Sequence, residues 1–279
     1  MPKERFHLLL ADQTLQVLTS LPNSPSLTGE QKFAYCLGAI SPDTFFYDLP
    51  FFRLSPLGDA FHRIEGLSSP AFLGTVIKEW NKELTPETTA WLLGVASHML
   101  ADGFLHPTIE KMTDSRSFFC KKLGLSERHG HHWLESELEG YWLPVIGPSD
   151  GYLPLLKEIA RGNKICEDCI GCFRMLLMRM GFKEVPDEKR IGRCLFWQAL
   201  LLHQFSLQAW ARWRNLFLEF RATRYIGSLI VPLKRGLSPP PLICESRWGD
   251  SSYGPCDKEF IISAVTFLAT HLHPLLQQL

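Results

Sequence analysis

The sequence predicts an all-α protein, a multi-helix bundle, and three observations carry that prediction. Apolar residues recur at intervals of three and four through most of the chain, while the strict alternation of a strand is nearly absent. The apolar share, 46% of 279 residues, is that of an ordinary globular protein able to bury a substantial core. Proline, glycine and capping residues punctuate the periodic runs. Helices are therefore expected over 7–20, 28–38, 70–82, 86–104, 127–142, 151–160, 163–181, 188–221 and 257–276.

Taken in order, the first two segments run from FHLLLAD and into FAYCLGA, each apolar at helical spacing. The helix beginning at residue 86 has the clearest start, with Thr85 as N-cap and Pro86 in the first turn, and His106-Pro107 reads as its stop. The segment CEDCIGC holds Cys166, Cys169 and Cys172 and continues into FRMLLMRM. A metal or iron–sulfur cluster would need a fourth ligand and usually a loop, so this three-residue spacing is expected to line one helix face. In WQALLLHQFSLQAWARWRNLFLEF the aromatics, among them Trp197, Trp210 and Trp213, fall at helical intervals and are expected in the core. The stretch 236–255, with Pro239-Pro240-Pro241, reads as a long loop. The last helix, FIISAVTFLATHLHPLL, is interrupted by His271 and His273 and reads as a terminal core helix.

One chemical signal stands out from this background. His98 and Asp102 lie four apart in WLLGVASHMLADGFLHP, His106 closes that segment, and His131 with Glu135 repeats the spacing in HGHHWLESELE. Four residues on a helix bring an imidazole and a carboxylate to one face, within reach of one cation. His132, one residue on, points about 100° away. The segment around His98 and Asp102 is apolar on nearly every side, and a buried carboxylate is costly unless something pairs with it. Metal coordination satisfies both pairs. Upstream, His7, Asp43 and His62 offer further ligands.

In this order the residues resemble the bacterial zinc-dependent phospholipase C family, whose fold is shared with the single-strand-specific zinc nucleases. The matching features are His7, a GAxxPD turn ending in Asp43, His62, His98xxxAsp102 followed by His106-Pro107, and His131xxxGlu135. The resemblance spans His7 to about Tyr141. It implies an all-helical protein with a multinuclear zinc site of two or three ions. Asp43, His62, His98 and Asp102 would hold one zinc, and Asp102 would bridge to a second that also uses His7. His106, His131 and Glu135 would hold the third. Secreted relatives add their amino-terminal residue as a ligand, whereas MPKERFHLLL has no leader pattern here, so the His7 position departs from the family. Imidazole and carboxylate suit zinc with open positions for water or phosphate oxygens.

Composition bounds the partners. Twenty-nine basic and twenty-nine acidic residues balance to zero, and no basic block is present to neutralise a nucleic-acid backbone, so nucleic acid is not the expected partner. Eight cysteines and no leader lead to the expectation of a cytoplasmic chain with free thiols. One helical domain is expected over 1–279, with a metal-bearing half, 1–143, and a supporting half, 144–279. The function the resemblance implies is hydrolysis of a phosphodiester, above all a phospholipid, with Asp43 as catalytic base and with peripheral membrane contact through an apolar rim. Two other functions fit the same residues. One is a nucleotide or nucleic-acid phosphodiesterase, and the other is a non-catalytic metal-stabilised helical protein.

Overall fold

The computed structural model describes residues 4–22, 26–63, 70–80, 83–113, 121, 126–146, 152–205, 208–220, 223, 226–227, 230 and 258–277. Among them every regular element is helical, as the periodicity predicts. Twelve α-helices are described: α1 (Glu4–Ser20), α2 (Gly29–Gly38), α3 (Ser55–Arg63), α4 (Pro70–Trp80), α5 (Pro86–Thr113) and α6 (Glu127–Ile146), then α7 (Tyr152–Ala160), α8 (Lys164–Arg179), α9 (Glu188–Phe205), α10 (Gln208–Ala211), α11 (Arg214–Glu219) and α12 (Lys258–Leu276). A 3₁₀ turn, Ser41–Tyr47, follows α2. The proline-rich stretch 236–255 lies outside the described residues.

Helices α2 and α5 form the centre. Thr28 and Gln31 close a reciprocal cap at the start of α2, through bonds of 3.3 and 2.8 Å. At the start of α5, Thr85 Oγ1 accepts the Thr88 N–H at 3.2 Å, as the sequence suggests. The two helices cross at a pair of glycines. A Cβ on Gly38 would lie 2.0 Å from the Trp91 carbonyl oxygen, and one on Gly94 2.0 Å from that of Tyr35, so only main chain fits between them. Close by, Trp91 Nε1 donates to Ser41 Oγ at 2.9 Å and Ser41 Oγ to the Leu37 carbonyl at 2.7 Å, which fixes the entry to the 3₁₀ turn. Helix α12 lays Phe260, Ala264, Leu268 and Leu272 into the core against α1, α4 and α5. By length and composition it is apolar enough to cross a membrane, yet half of it is buried inside the protein.

The structure departs from the sequence-based expectations at three places. Helix α5 does not stop at His106-Pro107 but continues to Thr113. Pro107 forfeits one backbone bond at a cost of about 3 kcal/mol, whereas burying Ile109 and Met112 beyond it contributes roughly 1.5 to 3 kcal/mol each, so packing wins. The run 188–221 is not one helix but three, α9, α10 and α11. After the break Arg214 turns inward onto Glu137 of α6 and Trp213 turns out, 56% exposed, against the expectation that it is core. A buried carboxylate left without its arginine would cost more than the interrupted helix. The third departure is α3, which the sequence pattern did not reveal. Cys166, Cys169 and Cys172 are free and buried along one face of α8, as expected, and burial pushes the thiols of Cys166 and Cys172 up to about 12.

Candidate metal centre

The centre is built on one row of α5. His98, Asp102 and His106 follow one another at four-residue steps, and His106 belongs to this row because the helix runs through Pro107. Around the row stand His7 from α1, Asp43 from the 3₁₀ turn, His62 from α3, and His131 with Glu135 from α6. All eight sequence-based candidates therefore lie in the same part of the fold, and three sets have donor atoms close enough to share a cation: His7 with Asp43 and His98, His62 with His98 and Asp102, and His106 with His131 and Glu135.

The geometry is clearest around His62, His98 and Asp102. His98 Nδ1 is 2.8 Å from the Ala39 carbonyl oxygen and His62 Nδ1 is 2.8 Å from that of Gly58. A carbonyl only accepts, so each Nδ1 carries the proton and each Nε2 can present a lone pair inward. These two nitrogens are 3.4 Å apart. From His62 Nε2, Asp43 Oδ1 is at 3.3 Å and Asp102 Oδ2 at 3.5 Å; from His98 Nε2, Asp43 Oδ2 is at 3.9 Å and Asp102 Oδ2 at 3.2 Å. Donor atoms each about 2.0 to 2.1 Å from a central zinc in tetrahedral array lie roughly 3.3 to 3.4 Å apart. His62 Nε2, His98 Nε2 and Asp102 Oδ2, 3.2 to 3.5 Å from one another, match that spacing, and Asp43 turns one oxygen toward each histidine.

Asp102 faces two ways. Its Oδ2 faces His62 and His98, while its Oδ1 lies 3.3 Å from Nε2 of His7 and 3.3 Å from Nε2 of His106. The rings of His7 and His98 stack with centroids 4.1 Å apart, which brings the second position directly beside the first. In the third group His131 Nε2 is 2.8 Å from Glu135 Oε1, and His106 completes the set. His132 is turned to the other Glu135 oxygen at 3.7 Å, and burial pushes its pKa down to about 3.

Burial makes this cluster demand positive charge. Burial alone would raise the pKa of Asp102, yet His98 and His106 outweigh it and hold the carboxyl well below the usual range. Glu135 is held equally low, against burial, by His131. Reciprocally, burial would lower His98 and His106, but Asp102, with Asp43 acting on His98, lifts both to about 9. Protons on imidazole thus stand where cations would otherwise balance the carboxylates. Among the described residues, both oxygens of Asp43, Asp102 and Glu135 and the Nε2 atoms of His7 and His106 are buried without a hydrogen bond. Such groups are rare in folded proteins. A bound divalent ion accounts for them, and the donor set of imidazole and carboxylate fits zinc.

Sequence reasoning missed the shell behind these groups. Gln198 of α9, fully buried, donates from Nε2 to the Ile40 carbonyl at 2.8 Å and accepts Thr44 Oγ1 at 2.8 Å, bracketing Asp43 on both sides. Tyr47 donates to Glu4 at 2.7 Å in the same layer, where burial, reinforced by Asp43, raises Glu4 to about 8. A lone glutamine in an apolar helical stripe is the only sequence signal for this layer.

A family model described as zinc dependent phospholipase C matches residues 6–171, more than half of the chain and the whole of the eight-residue cluster. The chain belongs to that family. No curated protein and no solved structure matches it.

Proposed function

We propose that the protein is a zinc-dependent phosphodiester hydrolase acting as a phospholipase C, cleaving the glycerol-side P–O bond of a phospholipid to give diacylglycerol and a phosphorylated head group. The observation that carries this reading is the set of buried, unbonded imidazole and carboxylate atoms converging at zinc-like spacings within a family of that activity. Asp43, His62, His98 and Asp102 would hold one ion, Asp102 with His7 a second, and His106, His131 and Glu135 a third. Zinc bound there supplies Lewis acidity toward phosphoryl oxygens and a strong nucleophile at neutral pH.

The residues themselves supply placement. His98 and His62 are fixed through their Nδ1–H bonds, so the imidazoles that would hold the ion need no reorganisation during the reaction. Asp43 is held below the usual carboxylate range, with burial opposed by His98 and His62, and so accepts a proton weakly. Its part is to orient the attacking water more than to deprotonate it. Side-chain exposures of 30% for His106, 19% for His131 and 16% for His62, against essentially none for Asp43 and His98, leave part of the cluster accessible to substrate. A purely structural zinc site would be closed on all sides. The balanced charge favours a lipid over a polyanionic strand.

Zinc-loaded protein assayed against mixed phospholipid micelles, a chromogenic phosphodiester and single-stranded DNA tests the reading. Turnover of lipid fastest, lost in Asp43→Asn, is expected. Faster cleavage of DNA moves the assignment to a nuclease, and no turnover of any of the three leaves a non-catalytic metalloprotein.

A further inference from the structure

Between the Asp43 turn and the helix that carries His62 runs the segment DLPFFRL, residues 48–54, and it displays apolar side chains where a soluble protein normally hides them. Phe51 is 69% exposed, the highest among the large apolar side chains of the described residues, and Phe52 beside it is 50% exposed. The backbone holding them is fixed. Phe52 sits at φ +50°, a left-handed conformation that a bulky side chain rarely adopts. Its N–H bonds to the Asp48 carbonyl, and its own carbonyl accepts the N–H of Ser55 at 3.3 Å. The Asp48 carboxylate is buried, accepts the Leu54 N–H at 3.3 Å and takes a bidentate pair from Arg190 of α9 at 3.2 and 2.6 Å. Backbone strain and a clamped ion pair are thus spent on keeping two phenyl rings in water, and strain of this kind gathers at functional sites.

With its one acid paired, the segment is left with the positive charge of Arg53. Asp48, the segment's only acid, is neutralised by Arg190, with Arg193 a further 3.9 Å away. Arg53 is exposed and its guanidinium lies 5.1 Å from the Phe51 ring centroid. An aromatic pair with an arginine beside it matches the bilayer interface, where rings settle among head groups and the guanidinium meets phosphate. The patch is too small for a protein partner. Two partly exposed phenyl rings offer on the order of 250 Å², against roughly 800 Å² per side for a stable protein–protein interface.

We infer that residues Phe51, Phe52 and Arg53 form a docking tip that inserts into the surface of a phospholipid bilayer. The inference rests on the phospholipase reading for its choice of partner. The tip leads through α3 straight to His62, seven residues after Ser55 and so about 10 Å along that helix, which would set the accessible part of the metal centre near the membrane plane.

Co-sedimentation of the zinc-loaded full chain with vesicles of phosphatidylcholine, alone or mixed with phosphatidylglycerol, tests it. Phe51→Ser/Phe52→Ser should lower vesicle partitioning by at least about tenfold, and Arg53→Glu should weaken binding mainly to the mixed vesicles. Phe51→Trp should bind more tightly than the parent chain, which guards against a double variant that merely misfolds. Turnover of a water-soluble chromogenic phosphodiester should be unchanged in all of them. Failure of the parent chain to bind vesicles, or binding indifferent to these substitutions, overturns the docking tip while leaving turnover of soluble substrate intact. Phe-dependent vesicle binding by a protein that hydrolyses no phosphodiester would instead sustain the tip and refute the phospholipase reading.

Discussion

At the scale of single residues, the side chain that organises the centre is Asp102, whose two oxygens serve two neighbouring groups of imidazoles. In metal-free protein Asp102 lifts His98 and His106 to about 9, so zinc binding at neutral pH is expected to release about two protons. The direction follows from the pKa values. Because these histidines rise above their ordinary 6.5, their ion pairs stabilise the metal-free fold fully below pH 6.5 and are lost as pH climbs through 9. Zinc affinity moves the other way and increases over the same interval. Thermal unfolding with and without chelator should therefore diverge from pH 6.5 upward, and titration calorimetry in buffers of different ionisation enthalpy should report the proton release. Asp102→Asn should abolish most of that release and cost at least one bound ion by elemental analysis. Equal release in the variant would refute the central role of this carboxylate. The ligand types and their four-residue spacings were legible in the sequence, because helical periodicity is local. The carbonyls of Ala39 and Gly58, which set both tautomers, were not, because a main-chain acceptor carries no letter.

At the scale of helices, the decisive contact is the crossing of α2 and α5. Main chain touches main chain at Gly38 and Gly94, and one turn beyond Gly94 the ring of His98 meets the Ala39 carbonyl just past Gly38. Gly94→Ala puts a methyl group 2.0 Å from the Tyr35 carbonyl, so the helices must separate. Overpacking of this kind typically costs about 1 to 3 kcal/mol. Denaturant unfolding should show a loss of at least that size, together with weakened zinc binding, whereas Gly103→Ala, with open space around its Cβ position, should be neutral or stabilising. The start of α5 was readable from Thr85 and Pro86 because a cap is a short-range device. Its end was misread at Pro107 and the run after 188 was read as unbroken, since tertiary burial and the inward turn of Arg214 decide those boundaries.

At the scale of the whole molecule, the family match ends at residue 171, yet three side chains beyond it grip the matched part. Gln198 brackets the Asp43 turn, Arg190 clamps Asp48, and Arg214 pairs with Glu137 on the helix of His131 and Glu135. These residues beyond the match thus buttress it, which the apolar periodicity of their helices alone did not disclose. Gln198→Leu keeps the size and removes its bonds to Thr44, Ile40 and Glu4, leaving the Ile40 carbonyl without its donor. Zinc affinity should fall about 10- to 100-fold, the usual effect of removing a group that orients a ligand, with far-ultraviolet circular dichroism unchanged. Unaltered affinity would show that Asp43 is positioned without help from α9.

The row along α5 has a further implication for the length of the chain. Gly94, His98, Asp102 and His106 are spaced by four throughout, so a single strip of helix surface carries first the crossing with α2 and then every α5 ligand. Each step of four overshoots a full turn by only about 40°, which fans the strip gently across the three groups. One inserted or deleted residue anywhere between Gly94 and His106 would swing all that follows by about 100°. Over these thirteen positions the gene can exchange letters but cannot change their number.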